Sequence, residues 1–222
     1  MSANPDFVYR PPMSPYLDII YLDEDLLVLN KPSGLLTVPG RLAEHQDCLQ
    51  TRVQRVLPTA TIVHRLDMAT SGIIIMALNK QSHVAISRQF EKRQTKKYYL
   101  ARVHGQLKQK QGSVDLPLIC DWPNRPKQMV CHERGKQALT HYKVLEEQRE
   151  YSLLELKPIT GRSHQLRVHM LSLGHPILGD RLYAHASALA LADRLQLHSR
   201  YYAIYHPKTG EQLEFLAPCP FT

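Results

Sequence analysis

Residues 64–78 read HRLDMATSGIIIMAL, and the second half of this stretch decides how the chain folds. The run of β-branched and apolar residues from Gly72 to Leu78 is bounded by Gly72 and Asn79 and has no polar face. Such a run is typical of a strand that is buried on both faces. We therefore expect a central strand of a sheet here, with the polar segment HRLDMAT leading into it as a loop.

Other strands are predicted on both sides of this one. LDIIYL and LLVLN indicate a hairpin near residue 17, ALTHYKVL and YSLLELKPI indicate a second, and YYAIYHPKTGEQLEFLAP a third at the C-terminus. KKYYLARVHG alternates, which places Tyr99 on one strand face with Ala101 and Val103. Residues 119–137 are polar and basic and indicate a functional loop.

Helices are predicted over residues 47–57, 81–93 and the stretch TGRSHQLRVHMLSLG. Helical spacing in the last stretch would put His164 and Arg167 together on the face opposite Leu166 and Met170. Strands joined by short turns, with helices inserted, predict an α+β class: a mixed, largely antiparallel sheet with flanking helices.

The domain organisation is expected to be simple. Residues 1–16 are Pro-rich and aperiodic, which indicates an N-terminal arm. Residues 17–222 have the length of a single catalytic domain. About 16 residues are too few for a separate N-terminal RNA-binding domain of the S4 type.

Charge and composition narrow the class of protein. The net charge is +8, and residues 61–143 hold 15 Lys and Arg against 5 Asp and Glu. This concentration is the pattern expected of a phosphate-binding surface. The longest apolar run, Ile73 to Leu78, is far shorter than the roughly 20 residues that cross a bilayer, and no secretory signal is present. The four cysteines form no C-x-x-C pair. We expect a cytoplasmic protein with reduced thiols and no membrane segment.

Asp67 is the candidate for chemistry in the HRLD segment. An aspartate in a loop commonly caps a turn, and this structural role stays open. A kinase catalytic loop is disfavoured because the chain has no G-x-G-x-x-G and no D-F-G. Glycoside hydrolysis needs a second carboxylate nearby, and the nearest acidic residues in sequence are Asp47 and Glu91.

The string HRLDxxTSG resembles the catalytic motif of the RluA family of pseudouridine synthases. Further segments of that family occur in the same order: NKPSGLL, K-x-Y-x-A at residues 97–101, GRSHQLRVHM and GHPILGD. The resemblance covers nearly the whole chain from residue 17. It implies the pseudouridine synthase fold with a central active-site cleft, isomerisation of uridine in RNA to pseudouridine, and no metal or organic cofactor.

The resemblance also implies three catalytic residues. Asp67 matches the catalytic aspartate, Tyr99 the active-site tyrosine, and Arg167 the arginine that pairs with the aspartate. The reaction breaks N1–C1′ and bonds C5 to C1′, so a carboxylate at the sugar suits it. Three routes stay open: Asp67 adds to C1′, adds to uracil C6, or assists elimination to a glycal. Tyr99 can stack on uracil and help to remove the C5 proton.

RNA contacts are expected from basic and aromatic residues. A uridine in folded RNA must be flipped out before its ribose is accessible, and Arg65 resembles the family residue that occupies the gap. Basic residues flanking Tyr99 suit phosphate contacts, and the loop with Trp122 offers stacking. The candidates are Arg65, Arg88, Lys92, Arg93, Lys96, Lys97, Trp122, Arg125 and Lys127.

Within the family, VPGRLAEH and DLPLICDWPNRPKQ are most similar to the dual-specificity members. This implies target uridines in hairpin loops of 23S rRNA and in the tRNA anticodon stem-loop, recognised by shape and stacked bases. We expect a monomer without an obligate protein partner. Two alternatives stay open: a family member that modifies a different rRNA or tRNA uridine, and a noncatalytic RNA-binding factor. The presence of Asp67, Tyr99 and Arg167 argues against the second.

Overall fold

The computed structural model of the protein describes residues 8–222. Two compact units are present: the first comprises Tyr9–Lys97 and His198–Thr222, and the second contains Tyr98–Leu197. The arm over residues 1–16 and the single domain over residues 17–222 stay predictions, and residues 1–7 lie outside the described part of the chain.

The elements of regular structure follow one another along the chain. The helices are a 3-10 turn at Ala43–His45, α1 (Leu49–Gln54), α2 (Lys80–Glu91), α3 (Gln165–Ser172) and α4 (Ala186–Ala190). The strands are β1 (Ile19–Leu22), β2 (Leu26–Lys31), β3 (Thr61–Ile62), β4 (Ser71–Ala77), β5 (Lys96–His104), β6 (Gln111–Asp115), β7 (Leu118–Cys120), β8 (Gln128–Val130), β9 (Leu139–Glu147), β10 (Tyr151–Pro158), β11 (Leu197–Tyr205) and β12 (Gln212–Leu216).

The first unit is built around β4, in which every residue is buried. β2 pairs antiparallel with β4 from Leu26 opposite Ala77 to Lys31 opposite Gly72, and β11 pairs with β4 in parallel. β1 and β12 extend the sheet as hairpins with β2 and β11. The predicted central strand and the first and third hairpins are confirmed.

Helix α2 covers this sheet. It begins after Asn79, whose side-chain oxygen accepts a hydrogen bond from the Ser82 N–H at 2.9 Å and so satisfies one free amide of the first turn. Ile86 of the helix joins a core that includes Ile73 and Ile75 of β4. Burial of these side chains removes apolar surface from water, which stabilises the unit by about 25 cal/mol per Å².

The described end of the predicted arm packs against α1. Arg52 is fully buried, forms a side-on pair with Asp47 at 2.7 Å for both nitrogens, and donates to the carbonyls of Pro12 and Tyr16. The Tyr9 hydroxyl donates to the Asp47 carbonyl at 2.7 Å. Residues 9–16 therefore belong to the fold of the first unit.

The second unit carries four strands in the order β5, β10, β9, β6, all paired antiparallel. Tyr99, Ala101 and Val103 of β5 are buried as the alternation predicts. β7 and β8 form a separate two-stranded ribbon, so the predicted loop over residues 119–137 contains regular structure at its start and in its middle.

The predicted α+β class is confirmed: helices accompany a mixed sheet in which β4 and β11 pair in parallel and most other neighbouring strands of the described chain pair antiparallel. Strand β6 was not predicted from sequence, since it reads QGSVD and buries only Val114. Across the described residues, no helix has the length and apolarity of a membrane span.

Candidate active site

The loop that carries Asp67 is held by the segment KPSGLLT, residues 31–37. Thr37 Oγ1 donates to the Leu66 carbonyl, and Ser33 Oγ donates to the Ala69 carbonyl, each at 2.7 Å. Both bonds reach main-chain atoms on either side of Asp67, so they fix the path of the backbone. They do not depend on which side chains residues 66 and 69 carry. Asp67 itself is half-buried.

Lys31 supplies the third contact to this loop. Its side chain is fully buried, which is rare for lysine without compensation. The ammonium donates to the carbonyls of Pro32 at 2.9 Å, Leu35 at 2.7 Å and Met68 at 3.1 Å. The Met68 carbonyl also accepts the Gly34 N–H at 2.9 Å. Three acceptors match the three donors of an ammonium, so the buried charge is solvated by main chain.

A turn leads from Asp67 into β4. The Thr70 N–H donates to the Asp67 carbonyl at 3.1 Å. Two residues later, Gly72 has φ of +109°, and an added Cβ would lie 2.6 Å from the Ser199 backbone nitrogen of β11 and closer still to its carbonyl oxygen. Only glycine fits where the two strands approach so closely.

His64 anchors the start of the same loop. Its Nε2 accepts a hydrogen bond from the Ile75 N–H of β4 at 2.9 Å, and its ring packs beside Phe90 and Tyr202, at 5.0 and 5.1 Å between ring centroids. Burial lowers the pKa of His64 to about 3, and the positive charge of Lys97 acts in the same direction. The imidazole is therefore neutral and serves as an acceptor.

Tyr99 lies in the second unit, on β5 opposite Leu156 of β10. Its side chain is 8% exposed and alternates with the buried Ala101 and Val103. The backbone of a central antiparallel pair thus sets the direction of the phenol, as the sequence indicated.

Arg167 also lies in the second unit, on the buried helix α3. Its Nε donates to Asp180 Oδ2 at 2.8 Å and its Nη2 to Oδ1 at 2.6 Å, a side-on pair between two buried side chains. Such bidentate pairs fix the plane of the guanidinium as well as its position. A surface ion pair, the ordinary alternative for an arginine, is contradicted by this burial.

The prediction that His164 and Arg167 share a helix face is wrong in its geometry. His164 is the residue before α3 and has φ of 53°, a left-handed conformation outside the helix. Both residues nevertheless contact Tyr183: His164 Nδ1 lies 2.7 Å from its hydroxyl, and the guanidinium carbon of Arg167 lies 5.0 Å from its ring centroid.

Two further residues of the SHQLRVH segment fasten α3 to β9. Gln165 Nε2 donates to the Leu139 carbonyl and to Thr140 Oγ1, both at 3.0 Å. His169 is fully buried, with Nδ1 2.9 Å from Thr140 Oγ1 and Nε2 3.1 Å from the Leu116 carbonyl. Burial lowers the pKa of His169, so the neutral ring donates from Nε2 and accepts at Nδ1.

The predicted phosphate contacts in the first unit are mostly exposed. Five side chains point to solvent: Arg65, Arg88, Lys92, Arg93 and Lys96. Lys97 differs from them, because it is half-buried and burial lowers its pKa to about 8. Its positive charge also contributes to the lowered pKa of His64.

The remaining RNA candidates lie between β7 and β8. Trp122 is 64% exposed, and the guanidinium carbon of Arg125 lies 4.3 Å from the centroid of its ring. The Asp121 N–H donates to the Lys127 carbonyl at 2.9 Å and closes this loop. The loop therefore presents an exposed, cation-stacked aromatic ring.

One group of side chains in the described part of the chain has metal-ligand spacing: Asp23, Asp25 and His206. Hydrogen bonds within the fold explain why these three side chains lie together. Asp23 accepts from the Leu26 and Asp25 amides and bonds His206, and Asp25 accepts from Ser82 at the start of α2. The group closes the β1–β2 turn and ties it to its neighbours.

Asp67 and Arg65 thus belong to the first unit, whereas Tyr99, Arg167 and the Trp122 loop belong to the second. Their assembly into one catalytic site stays a prediction. Sequence reasoning assigned no role to Lys31 or Asp180, although both lie in quoted segments, NKPSGLL and GHPILGD.

Comparisons with known proteins identify the family. The family model for RNA pseudouridylate synthase matches residues 25–172. The dual-specificity RNA pseudouridine synthase RluA of Escherichia coli strain K12 is 58% identical over 96% of this chain and 98% of its own. The protein of the same name from Vibrio cholerae is 52% identical over 96% and 87%.

Solved structures agree. Human RNA pseudouridylate synthase domain containing 1 matches with a TM-score of 0.80 and 31% identity over 96% of this chain and 87% of that one. Human RNA pseudouridylate synthase domain containing 4 matches with 0.74 and 26% over 92% and 89%. The chain therefore belongs to the RNA pseudouridine synthases, isomerases that convert uridine in RNA to pseudouridine.

Proposed function

We propose that this enzyme has dual specificity, isomerising uridines in hairpin loops of 23S rRNA and in the tRNA anticodon stem-loop, with Asp67 as its catalytic carboxylate. The name and the 58% identity of the Escherichia coli relative support the substrate assignment. The observation that carries the catalytic assignment is the Asp67 loop, because its backbone is fixed on both sides by residues 31–37. A reacting group must be held in place before the substrate arrives.

The proposed chemistry divides among three residues. Asp67 acts at the ribose or the base as nucleophile or as charge partner of the developing cation. Arg167 stabilises that carboxylate in its working position. Tyr99, a phenol set by a central strand, stacks on the uracil and assists the loss of the C5 proton.

Loss of tritium from RNA labelled at uridine C5 tests the catalytic role. Asp67→Asn keeps the size of the side chain and removes its charge, and we expect no tritium release above background with RNA binding retained. Asp18→Asn is the matched control, since Asp18 is half-buried in the same unit and its carboxylate accepts a hydrogen bond from Asn30 Nδ2 at 3.0 Å. Release by the Asp67→Asn protein at the parent rate contradicts the assignment.

The RNA surface is proposed to consist of two parts. Exposed Arg65 fills the gap left by the flipped uridine, and exposed Arg88 and Lys96 contact phosphates with their basic neighbours. The Trp122 ring, backed by Arg125, stacks on an unpaired base.

Substrate range is tested with two synthetic hairpins, one from a tRNA anticodon stem-loop and one from 23S rRNA. We expect both hairpins to be converted. In RNA from a deletion strain, carbodiimide mapping should show that pseudouridine is missing from both RNAs. Conversion of a different uridine alone rejects dual specificity and leaves the family assignment intact. We also propose that the enzyme is a monomer and acts in the cytoplasm. In analytical ultracentrifugation, the expected result is one protein chain per particle, with or without bound RNA.

A further inference from the structure

Asp180 accepts more hydrogen bonds than it would need to neutralise the charge of Arg167. Besides the two bonds from the guanidinium, Oδ1 accepts the Leu182 N–H at 3.0 Å and the Tyr183 N–H at 3.3 Å. The carboxylate is fully buried. Four hydrogen bonds therefore fix the acid, and the acid fixes the plane of the arginine.

Tyr183 holds the same guanidinium from its face. The ring centroid lies 5.0 Å from the Arg167 guanidinium carbon, within range of a cation–π contact. The ring is fixed in turn through its hydroxyl, which accepts the Gln128 N–H at 2.8 Å and bonds His164 Nδ1 at 2.7 Å. Gln128 directly follows the loop that carries Trp122 and Lys127.

We propose that Asp180 and Tyr183 are positioning residues for isomerisation: they hold Arg167 in the one orientation in which it serves the catalytic carboxylate. This rests on the proposed role of Arg167. Neither residue touches the substrate, and each acts through the guanidinium, Asp180 in its plane and Tyr183 on its face. Because misplacement of a catalytic group by about 1 Å can cost about 100-fold in rate, both should affect the chemical step far more than RNA binding.

The test separates rate from affinity. Single-turnover isomerisation of an anticodon stem-loop hairpin is measured at saturating enzyme, and RNA affinity is measured separately. For Asp180→Asn we expect a fall of about 100-fold in the single-turnover rate, with the dissociation constant changed by less than about threefold. A rate within about threefold of the parent overturns the role of Asp180.

A second arginine–aspartate pair, in which the arginine is buried and the aspartate is half-buried, provides the control. Asp47 and Arg52 form the same side-on arrangement, with both nitrogen to oxygen distances at 2.7 Å, in the first unit and outside the proposed site. Asp47→Asn removes one carboxylate charge as Asp180→Asn does. We expect lower thermal stability and an unchanged single-turnover rate. An equal loss of rate in both variants shows a merely structural effect and overturns the proposal.

Tyr183 gives an independent pair of variants if Asp180→Asn does not fold. Tyr183→Phe keeps the ring face against Arg167, whereas Tyr183→Leu removes it and leaves the Asp180 carboxylate in place. We expect Tyr183→Leu to be at least about tenfold slower than Tyr183→Phe at saturating enzyme, and equal rates overturn the positioning role. If Asp67→Asn is inactive while these variants retain the parent rate, only this inference fails; an active Asp67→Asn protein removes the proposed function itself.

Discussion

Replacement of Lys31 by methionine probes how the Asp67 loop is held. Met occupies a similar volume but donates no hydrogen bond, so the carbonyls of Pro32 and Leu35 lose the ammonium that they share. The Met68 carbonyl keeps its bond from the Gly34 N–H. Two unsatisfied buried acceptors cost about 1 to 3 kcal/mol each, and relief from burying a charge offsets part of this.

The net loss for Lys31→Met is therefore about 3 kcal/mol of unfolding free energy. For a chain of this length that corresponds to a fall in Tm of about 6 to 12 °C. Urea titration followed by circular dichroism measures the first quantity and calorimetry the second. Lys80→Met is the control, because Lys80 is exposed at the start of α2 and its replacement should change stability by less than about 0.5 kcal/mol. A Lys31→Met protein as stable as Lys80→Met refutes the reasoning.

Three further results are expected. The pKa of His64 is about 3 in the folded protein and 6.5 in the unfolded chain, so the unfolded chain takes up the proton first as the pH falls. The contribution of His64 to stability is therefore complete above about pH 6.5 and is lost as the pH drops towards 3. Between pH 7 and 5, the unfolding free energy of the parent should fall by about 2 kcal/mol more than that of His64→Gln in urea titrations. Gly72→Ala, which forces a Cβ into the backbone of β11, should cost at least about 2 kcal/mol more than Gly210→Ala, where φ is also positive (+73°) but no atom lies within 4 Å; equal costs would remove the close-approach argument. Lys96→Ala should reduce the slope of log affinity against log salt for hairpin RNA by about one, whereas Lys208→Ala, exposed outside the basic segment, should leave it unchanged.

Periodicity gave the elements of this fold because most of them are strands with one clear pattern. The Gly72 to Leu78 run predicted β4, and the alternation around Tyr99 predicted the buried face of β5. The helix at residues 165–172 was anticipated, but its start was not, since a left-handed His164 has no signature in sequence. Strand β6 escaped because it buries one side chain.

The contacts that hold the site were beyond sequence for a different reason. Lys31 bonds a carbonyl 37 residues away, and Asp180 meets an arginine 13 residues earlier across a loop. No local pattern encodes such partners, because they exist only after the chain has folded. The sequence does show a lysine before Pro32 and an aspartate after Gly179, both inside segments typical of the family. It does not indicate what either residue does.

The grip of residues 31–37 on the Asp67 loop acts through carbonyl oxygens, and every amino acid has one. Side chains at Met68 and Ala69 take no part in these bonds, although both residues are half-buried and directly follow Asp67 in the sequence. Evolution or design can therefore substitute the side chains that follow Asp67, and so alter which RNA is recognised, without displacing the backbone that carries the carboxylate.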